Sequence, residues 1–369
     1  MSTFKQLYSV ILEQIVNEKL KTYMDFDQTQ LDCLFNPKVN SVDWDIKACG
    51  PDSEGKEILS ADTVKMVKDL HKKENLAYAL VAPAFLGQFS HDVTPGQLRQ
   101  AFKDMGFDGM VEVAVFADIL TLKEALEFDR NIKTESDYQI TSCCCPMWIA
   151  MIKKVYHQLM PHVPATVSPM IAAGRTVKIL HPGALTVFIG PCMAKKAEAK
   201  EPGLAGAIDH VLTFQETKSL FDVLGVEPEK MPENEKEFSS RAGRIYARAG
   251  GVSEAVRKTV ERLSPNRKIA LRARRADGVP DCKEMLGELM EGKAKANFFE
   301  GMGCIGGCVG GPKALIDKKE ASRAVDEYGW QATYETPIDN PYVIELLHRL
   351  GFDTPESLLE DNKFFTRKF

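Results

Sequence analysis

The sequence lacks two features that would direct the chain to a membrane or to nucleic acid. No apolar run approaches the about 18 residues that a membrane-spanning helix needs. There is also no basic excess, since 47 lysines and arginines stand against 52 aspartates and glutamates and give a net charge of −5. Neither a nucleic-acid backbone nor an anionic lipid surface is therefore an expected partner, and we expect small molecules and other proteins instead.

The N-terminal sequence also lacks a basic region followed by a short apolar core and a small-residue cleavage site. We therefore expect a cytoplasmic location, where thiols stay reduced. Six of the nine cysteines crowd into short segments, which favours metal or redox chemistry over disulfides. The paired CxxC knuckles of zinc sites and the GxxxxGK[ST] pattern of nucleotide-binding loops are missing.

Strand-like and helix-like segments alternate along most of the chain, which indicates an α/β fold with two lobes of mostly parallel sheet flanked by helices. The predicted strands are 76–83, 110–116, 138–143, 184–191, 208–214, 268–276 and 296–302. The predicted helices are 3–23, one after Thr94, one from Asp118, 215–225, 251–263 and 281–291. We expect a helical extension over 1–60 and a domain over 61–369, whose two lobes cover about 61–180 and 181–369.

Cysteines follow three of the predicted strands. They occur in the segments TSCCCPMW (141–148), GPCMAKKAE (190–198) and EGMGCIGGCVGGP (300–312). Because α/β sheets bind ligands at the carboxyl ends of parallel strands, we expect the three segments to meet in the cleft between the lobes. Four thiolates from three segments suit a [4Fe–4S] cube, since soft thiolates select iron–sulfur clusters or zinc.

Each of these residues has a simpler interpretation when it is taken alone. A single cysteine is commonly a small buried apolar side chain, and a methionine such as Met302 commonly fills a core. A single lysine such as Lys195 is commonly solvated at the surface. Only the ordered set of three segments favours a metal centre.

Together the three segments resemble the signature motifs of the [FeFe]-hydrogenase catalytic domain, usually written TSCCPxW, PCxxKxxE and ExMxCxxGCxxGGxP. The resemblance covers about residues 76–369. It continues through VAPAF (81–85), FADILTLKEALEF (116–128), SPM (168–170), IDHVLTF (208–214) and ARAGGVSEAV (247–256).

The resemblance implies a six-iron cofactor, the H-cluster. In it a [4Fe–4S] cube is joined through one cysteine sulfur to a di-iron subcluster that carries CO, CN⁻ and a bridging dithiolate. Matching positions imply that Cys145, Cys192, Cys304 and Cys308 hold the cube and that Cys308 is the shared thiolate. The third cysteine of the first segment leaves a second register in which Cys144 replaces Cys145, but the Cys-Pro alignment favours Cys145.

The resemblance also implies contacts around the di-iron subcluster. Lys195 matches a lysine that hydrogen-bonds one cyanide, and Pro83 with Ala84 matches a loop whose backbone touches the other. Met302 matches a methionine packed beside the same unit. Gly190 stands where highly active members carry a methionine, and Ala84 where they carry a serine. We therefore expect a roomier and less polar pocket.

For proton delivery, Cys144 matches the family's proton-shuttling thiol, and Glu124 and Glu127 match the two glutamates of its proton path. Without the resemblance, two glutamates three residues apart would be a solvated helical face. The serine that usually links them is missing, because Pro164 occupies its position and Thr166 is the nearest hydroxyl. Proton transfer is therefore expected to be slow or rerouted.

These departures resemble the family's divergent, sensory branch. The implied reaction is 2H⁺ + 2e⁻ ⇌ H₂ at low turnover, used for H₂ sensing or regulation. The implied partners are H₂, protons, an external electron carrier or signalling protein, and the maturation enzymes that build the di-iron subcluster. Only Cys33 and Cys49 precede residue 100, so we expect no ferredoxin-type accessory cluster.

Two other functions stay open. The chain also fits an iron–sulfur adaptor of the cytosolic cluster-assembly class, which resembles this domain without making H₂. It equally fits a redox-signalling module in which a cluster reports its oxidation state to a partner protein.

Overall fold

A computed structural model describes residues 30–35, 37–42, 49, 59–141, 144–233 and 238–369. The helix predicted over 3–23 lies outside these residues, as does Cys143. The strands are β1 Ala77–Val81, β2 Gly109–Glu112, β3 Gln139–Ile140, β4 Leu185–Gly190, β5 His210–Thr213, β6 Ala273–Asp277 and β7 Phe298–Met302.

Helices connect the strands and cover the sheets. The α-helices are α1 Gln30–Phe35, α2 Ala61–His71, α3 Pro95–Asp104, α4 Ala114–Asn131, α5 Pro146–Val155, α6 Pro169–Leu180, α7 Ala194–Glu198, α8 Phe214–Leu224, α9 Arg241–Arg244, α10 Gly251–Leu263, α11 Val279–Met290, α12 Lys318–Trp330, α13 Pro341–Arg349 and α14 Pro355–Glu360. Short 3₁₀ helices lie at Pro83–Phe85, His157–His162, Pro228–Lys230, Ile245–Ala247 and Cys308–Gly310. Among the described residues, no helix combines the length and the apolar character that crossing a bilayer requires.

In the part of the chain that the structure describes, seven strands form two sheets, and every strand pair in both sheets is parallel. The larger sheet has the order β2-β1-β4-β5 and the smaller has the order β3-β7-β6. The prediction of an α/β fold with parallel sheets flanked by helices is confirmed. Each sheet takes strands from both halves of the chain, since β4 and β5 pair beside β1 whereas β3 pairs with β7. Along the sequence, β1 and β2 belong to the larger sheet, β3 to the smaller, β4 and β5 to the larger again, and β6 and β7 to the smaller.

Two predicted strands differ from the observed ones by four residues or more at one end. The strand predicted over 110–116 ends at Glu112, and Val113 already has helical dihedral angles (φ −63°, ψ −11°). Helix α4, which follows, is buried on nearly all sides, and a buried helix is as continuously apolar as a buried strand. The strand predicted over 268–276 begins only at Ala273.

Helix α4 is buried and supports the site described below. It packs against α6, α9 and α10. Its Asp118 accepts hydrogen bonds from the main-chain N–H groups of Ser240 (2.6 Å) and Gly243 (2.8 Å). Burial raises the pKa of Asp118 to about 7, although these donors oppose the shift. The contacts fix the segment that leads to Tyr246, which lines the cavity described below.

Candidate active site

The cysteine segments follow strand ends, as the sequence predicts. Cys145 is the N-cap residue of α5, with Pro146 at the first helical position. Cys192 comes two residues after β4, and Cys304 comes two residues after β7. Because β4 belongs to the larger sheet and β7 to the smaller, the thiols come from both sheets.

The four predicted ligand thiols lie close enough to influence one another electrostatically. The main-chain N–H of Gly303 donates a hydrogen bond to Cys145 Sγ at 3.3 Å. Burial raises the pKa of Cys308, and the neighbouring thiols of Cys145, Cys192 and Cys304 raise it further. Burial and the neighbouring thiols of Cys192 and Cys145 raise the pKa of Cys304 to about 11. Each thiol is therefore close enough to disfavour an unshared negative charge on the others.

This arrangement suits a cluster of several irons. Among the residues that the structure describes, no group of three or more His, Cys, Asp or Glu side chains is arranged to hold one metal ion. Four soft thiols from three segments match the ligand requirement of an iron–sulfur cube. Binding iron would also offset the burial and the charge repulsion that raise the pKa values of Cys304 and Cys308, because a coordinating thiol is deprotonated outright.

The turn between Cys304 and Cys308 depends on glycine. Gly307 has φ +85°, and a Cβ there would lie 2.6 Å from the main-chain nitrogen of Ala249. The main-chain N–H of Gly307 donates to the carbonyl of Cys304 at 3.0 Å. A larger residue would therefore push this turn away from the Arg248–Ala249 backbone, with which Gly307 forms a β-bridge at Arg248, and displace both thiols.

Lys195 is buried beside the thiols and has a carboxylate partner. Its Nζ donates to Glu198 Oε2 at 2.6 Å, and both side chains are buried. Burial alone would lower the pKa of Lys195, but Glu198, Cys192 and Cys308 outweigh it and raise the pKa. The ammonium therefore stays charged beside the Glu198 carboxylate and beside thiols that would become thiolates on binding a metal.

A mostly apolar cavity, which we call the thiol-lined cavity, lies against these groups. Its water-accessible volume is about 50 Å³. Among the predicted residues it is lined by Pro83, Ala84, Cys144, Cys192, Lys195 and Cys308. The Cys144 thiol is also buried, with its Sγ 3.9 Å from Met302 Sδ. The wall is mostly apolar, and the glycine at position 190 does not by itself open space in the cavity. A Cβ on that glycine would lie 2.9 Å from Phe188 Cε1, so the Phe188 ring already covers the space.

The cavity wall includes residues that the sequence reasoning did not single out. These are Ala82, Val113, Ala117, Pro169, Met170, Phe188, Pro191, Tyr246 and Ala247. Phe188 was detectable, because it alternates with Gly190 on one face of a strand. Tyr246 directly precedes the ARAGGVSEAV segment, but nothing local distinguishes it from a core tyrosine.

The two predicted proton-path glutamates have different surroundings. Glu124 is fully buried on α4. Glu127 is also buried, and its Oε1 accepts a hydrogen bond from Lys123 Nζ at 2.6 Å. The hydroxyl of Thr166 lies 3.5 Å from Glu127 Oε2. The ion pair with Lys123 was not predicted, because the sequence does not show that a lysine on this helix is buried.

The packing of Trp148 against the smaller sheet gives a direct stability test. A Cβ on Gly301 would lie 2.2 Å from Trp148 Cε3, and the indole is buried and donates to the carbonyl of Thr141 at 3.0 Å. We expect Gly301→Ala to lower the free energy of unfolding by about 1–3 kcal/mol or more through overpacking. Chemical denaturation measures the change. Gly287→Ala on α11, where a Cβ meets nothing within 4 Å, is the control and should stabilise the chain by about 0.5–1 kcal/mol.

Two parallel sheets bring cysteines from three segments to one buried cavity. The protein is therefore an α/β protein with a cysteine-lined site between its sheet strands and helices. Residues 75–312 match the family described as the iron-only hydrogenase large subunit, C-terminal domain. The chain therefore belongs to this family.

Two curated relatives of this chain are named as hydrogenases. Iron hydrogenase 1 of Clostridium pasteurianum is 26% identical over 287 residues, which cover 66% of this chain and 50% of that protein. The NADP-reducing hydrogenase subunit HndD of Solidesulfovibrio fructosivorans is 25% identical over 350 residues, which cover 77% of this chain and 59% of that protein. The chain thus matches only half to three fifths of the length of these relatives.

Solved structures share the fold. The structure of HydA(deltaEFG), which concerns stepwise assembly of the [FeFe]-hydrogenase H-cluster, has a TM-score of 0.69 and 22% identity. A variant of [FeFe]-hydrogenase HydA1 from Chlamydomonas reinhardtii has a TM-score of 0.68 and 22% identity. Each alignment covers 84% of this chain and 99% of the other.

Proposed function

We propose that this chain is an [FeFe]-hydrogenase that interconverts H₂ with two protons and two electrons. The observation that carries the proposal is the buried apolar cavity at which Cys308, Lys195 and Cys144 meet. It combines a cluster-ligand thiol, a fixed cation and a proton-exchanging thiol within one water-poor space. These are the three functions that the reaction asks of the protein.

In this proposal Cys145, Cys192, Cys304 and Cys308 hold the [4Fe–4S] cube, and Cys308 also holds the di-iron subcluster. When bound, the H-cluster supplies electron exchange and H₂ activation. Lys195 offsets the negative charge of the cofactor, and Glu198 holds the ammonium in place at 2.6 Å. A buried anionic group without such a cation would be costly.

The remaining residues handle protons and exclude water. The Cys144 thiol lines the cavity and is proposed to pass protons between the cofactor and Glu124. Pro83 and Ala84 form part of the cavity wall from a 3₁₀ turn after β1, where their main-chain groups would contact the cofactor. Met302 packs against Cys144, with the two sulfur atoms 3.9 Å apart.

We further propose that turnover is low and that the protein senses H₂ or regulates its use, in the manner of the family's sensory branch. Glu127 forms an ion pair with Lys123, so its carboxylate is less able to accept and release the transferred protons. Ala84 offers no hydroxyl to a cyanide, and Gly190 leaves its space to the Phe188 ring. The proposed setting is the cytoplasm, with an external electron carrier or signalling protein and with maturation enzymes that deliver the di-iron subcluster.

One comparison favours a second candidate, an iron–sulfur adaptor. A cytosolic Fe-S cluster assembly factor NAR1 homolog of Schizosaccharomyces japonicus is 28% identical over 104 residues, which cover 25% of this chain and 20% of that protein. An adaptor would need the cube but no di-iron subcluster. The buried Lys195 and Cys144 at an apolar cavity favour the hydrogenase.

An infrared spectrum under anaerobic conditions separates the two candidates. The full chain is reconstituted with the cube and then supplied with the di-iron complex. For a hydrogenase we expect CO and CN⁻ stretching bands that shift when H₂ is admitted. A chain that holds about four irons as a cube but shows no such bands would be the adaptor or redox module.

A further inference from the structure

A second cavity lies at the C-terminal end of α4 and shares no lining residue with the thiol-lined cavity. Its volume is about 390 Å³. Its wall comes from the end of α4, from β3 with the residues before it, and from the 3₁₀ helix His157–His162. The polar residues of the wall are Asn131, Ser136, Asp137, Tyr138, Gln139 and His162. We name it the α4 cavity.

Gln139 connects the α4 cavity to the helix that carries Glu124. Its side chain is 2% exposed, and its Nε2 donates to the main-chain carbonyl of Glu124 at 3.4 Å. Its Oε1 is buried and has no hydrogen-bond partner among the described residues. Buried carbonyl oxygens are nearly always hydrogen-bonded. Gln139 lines the α4 cavity, so a small rotation of its side chain would open this oxygen to cavity water.

The alternative route through Glu127 is restricted. Its Oε1 accepts a 2.6 Å hydrogen bond from Lys123 Nζ, and both side chains are buried. Protonating that carboxylate would leave the Lys123 cation without its counter-charge in a buried position, which is costly. Pro164, which stands in place of a linking serine, has no N–H or hydroxyl to bridge the gap and lines the α4 cavity instead.

His162 gives the α4 cavity a group that exchanges protons. Its ring stacks on Tyr138, with ring centroids 3.9 Å apart and an angle of 22° between the planes. The stacking holds the imidazole in the wall of the cavity. An imidazole accepts a proton at one nitrogen and donates from the other, so it can pass protons between solvent and cavity water.

We propose that protons enter and leave the site through the α4 cavity, with His162 exchanging them with solvent and Gln139 positioning the water that leads to Glu124. Each step transfers one proton from one oxygen or nitrogen to the next and moves no electron. The inference rests on the proposed function, since the route serves the reaction at the thiol-lined cavity. Gln139 acts through water and is a positioning residue.

The first test needs no di-iron subcluster. The full chain carrying only the cube is diluted into D₂O, and infrared spectra follow conversion of the Cys144 S–H band, identified by its loss in Cys144→Ala. We expect Gln139→Leu to slow this exchange about tenfold, because one bridging hydrogen bond is lost. Gln139→Glu, which restores an oxygen acceptor, should return the rate. Gln100→Leu, a matched change on α3 outside the α4 cavity, should leave the rate unchanged. An unchanged rate in folded Gln139→Leu would overturn the route.

The second test measures H₂ turnover in the reconstituted chain. His162→Phe keeps a ring that can stack on Tyr138 but removes the exchanging nitrogens, so turnover should fall several-fold and recover when imidazole is added. A loss that imidazole does not reverse would exclude His162 as the exchanging group. If the chain shows no H₂ chemistry but Gln139→Leu still slows the thiol exchange, the hydrogenase assignment fails and the cavity route stands.

Discussion

Replacing the Cys144 thiol by alanine should abolish most H₂ turnover while the cofactor stays bound. Cys144 lines the thiol-lined cavity and contacts Met302 rather than serving as one of the four proposed cube ligands. Removal of a positioned proton-transfer group typically costs about 10²–10⁴-fold in rate. We expect a loss in that range in H₂ production and H₂ oxidation, with CO and CN⁻ bands and iron content as in the wild type.

The matched control is Cys282→Ser. Cys282 is buried, and its Sγ lies 3.4 Å from the carbonyl oxygen of Met302. A serine hydroxyl can donate to the same carbonyl, so turnover should not change. Wild-type turnover in Cys144→Ala would mean that protons reach the cofactor without passing through Cys144. Loss of the cube in Cys144→Ala would instead favour the register in which Cys144, not Cys145, is a cube ligand.

Replacing Lys195 by methionine should have two large effects. Glu198 would keep a buried carboxylate without its 2.6 Å partner, and breaking a buried ion pair from one side costs about 3–5 kcal/mol. Chemical denaturation of the cluster-free chain measures this loss in the free energy of unfolding. The cation beside Cys192 and Cys308 would also be gone, so we expect weak or absent CO and CN⁻ bands after reconstitution.

A double variant separates the two effects. Lys195→Met with Glu198→Met removes both charges and replaces them with apolar side chains, which should recover most of the lost stability. It should still fail to retain the di-iron subcluster, because nothing then offsets the anionic charge. If the stable double variant binds the subcluster and responds to H₂ like the wild type, Lys195 is a structural residue only.

The sequence predicts the α/β class because strand and helix periods are local properties of the chain. Its predictions fail where burial changes the pattern. Helix α4 is apolar on nearly every side, so residues 113–116 carry no amphipathic period that would separate them from strand β2. The parallel pairing of β4 with β1 joins residues about a hundred positions apart, and no local pattern specifies that choice.

The sequence by itself determined the three cysteine segments, their position after strands and the family to which the chain belongs. These depend on residue type and spacing, which folding does not alter. Only the tertiary structure decided that Lys195 pairs with Glu198, that Lys123 holds Glu127 and that Phe188 covers Gly190. A lysine three or four residues from a glutamate is usually a solvated pair of small energetic effect. Burial by distant elements makes it a fixed part of the site.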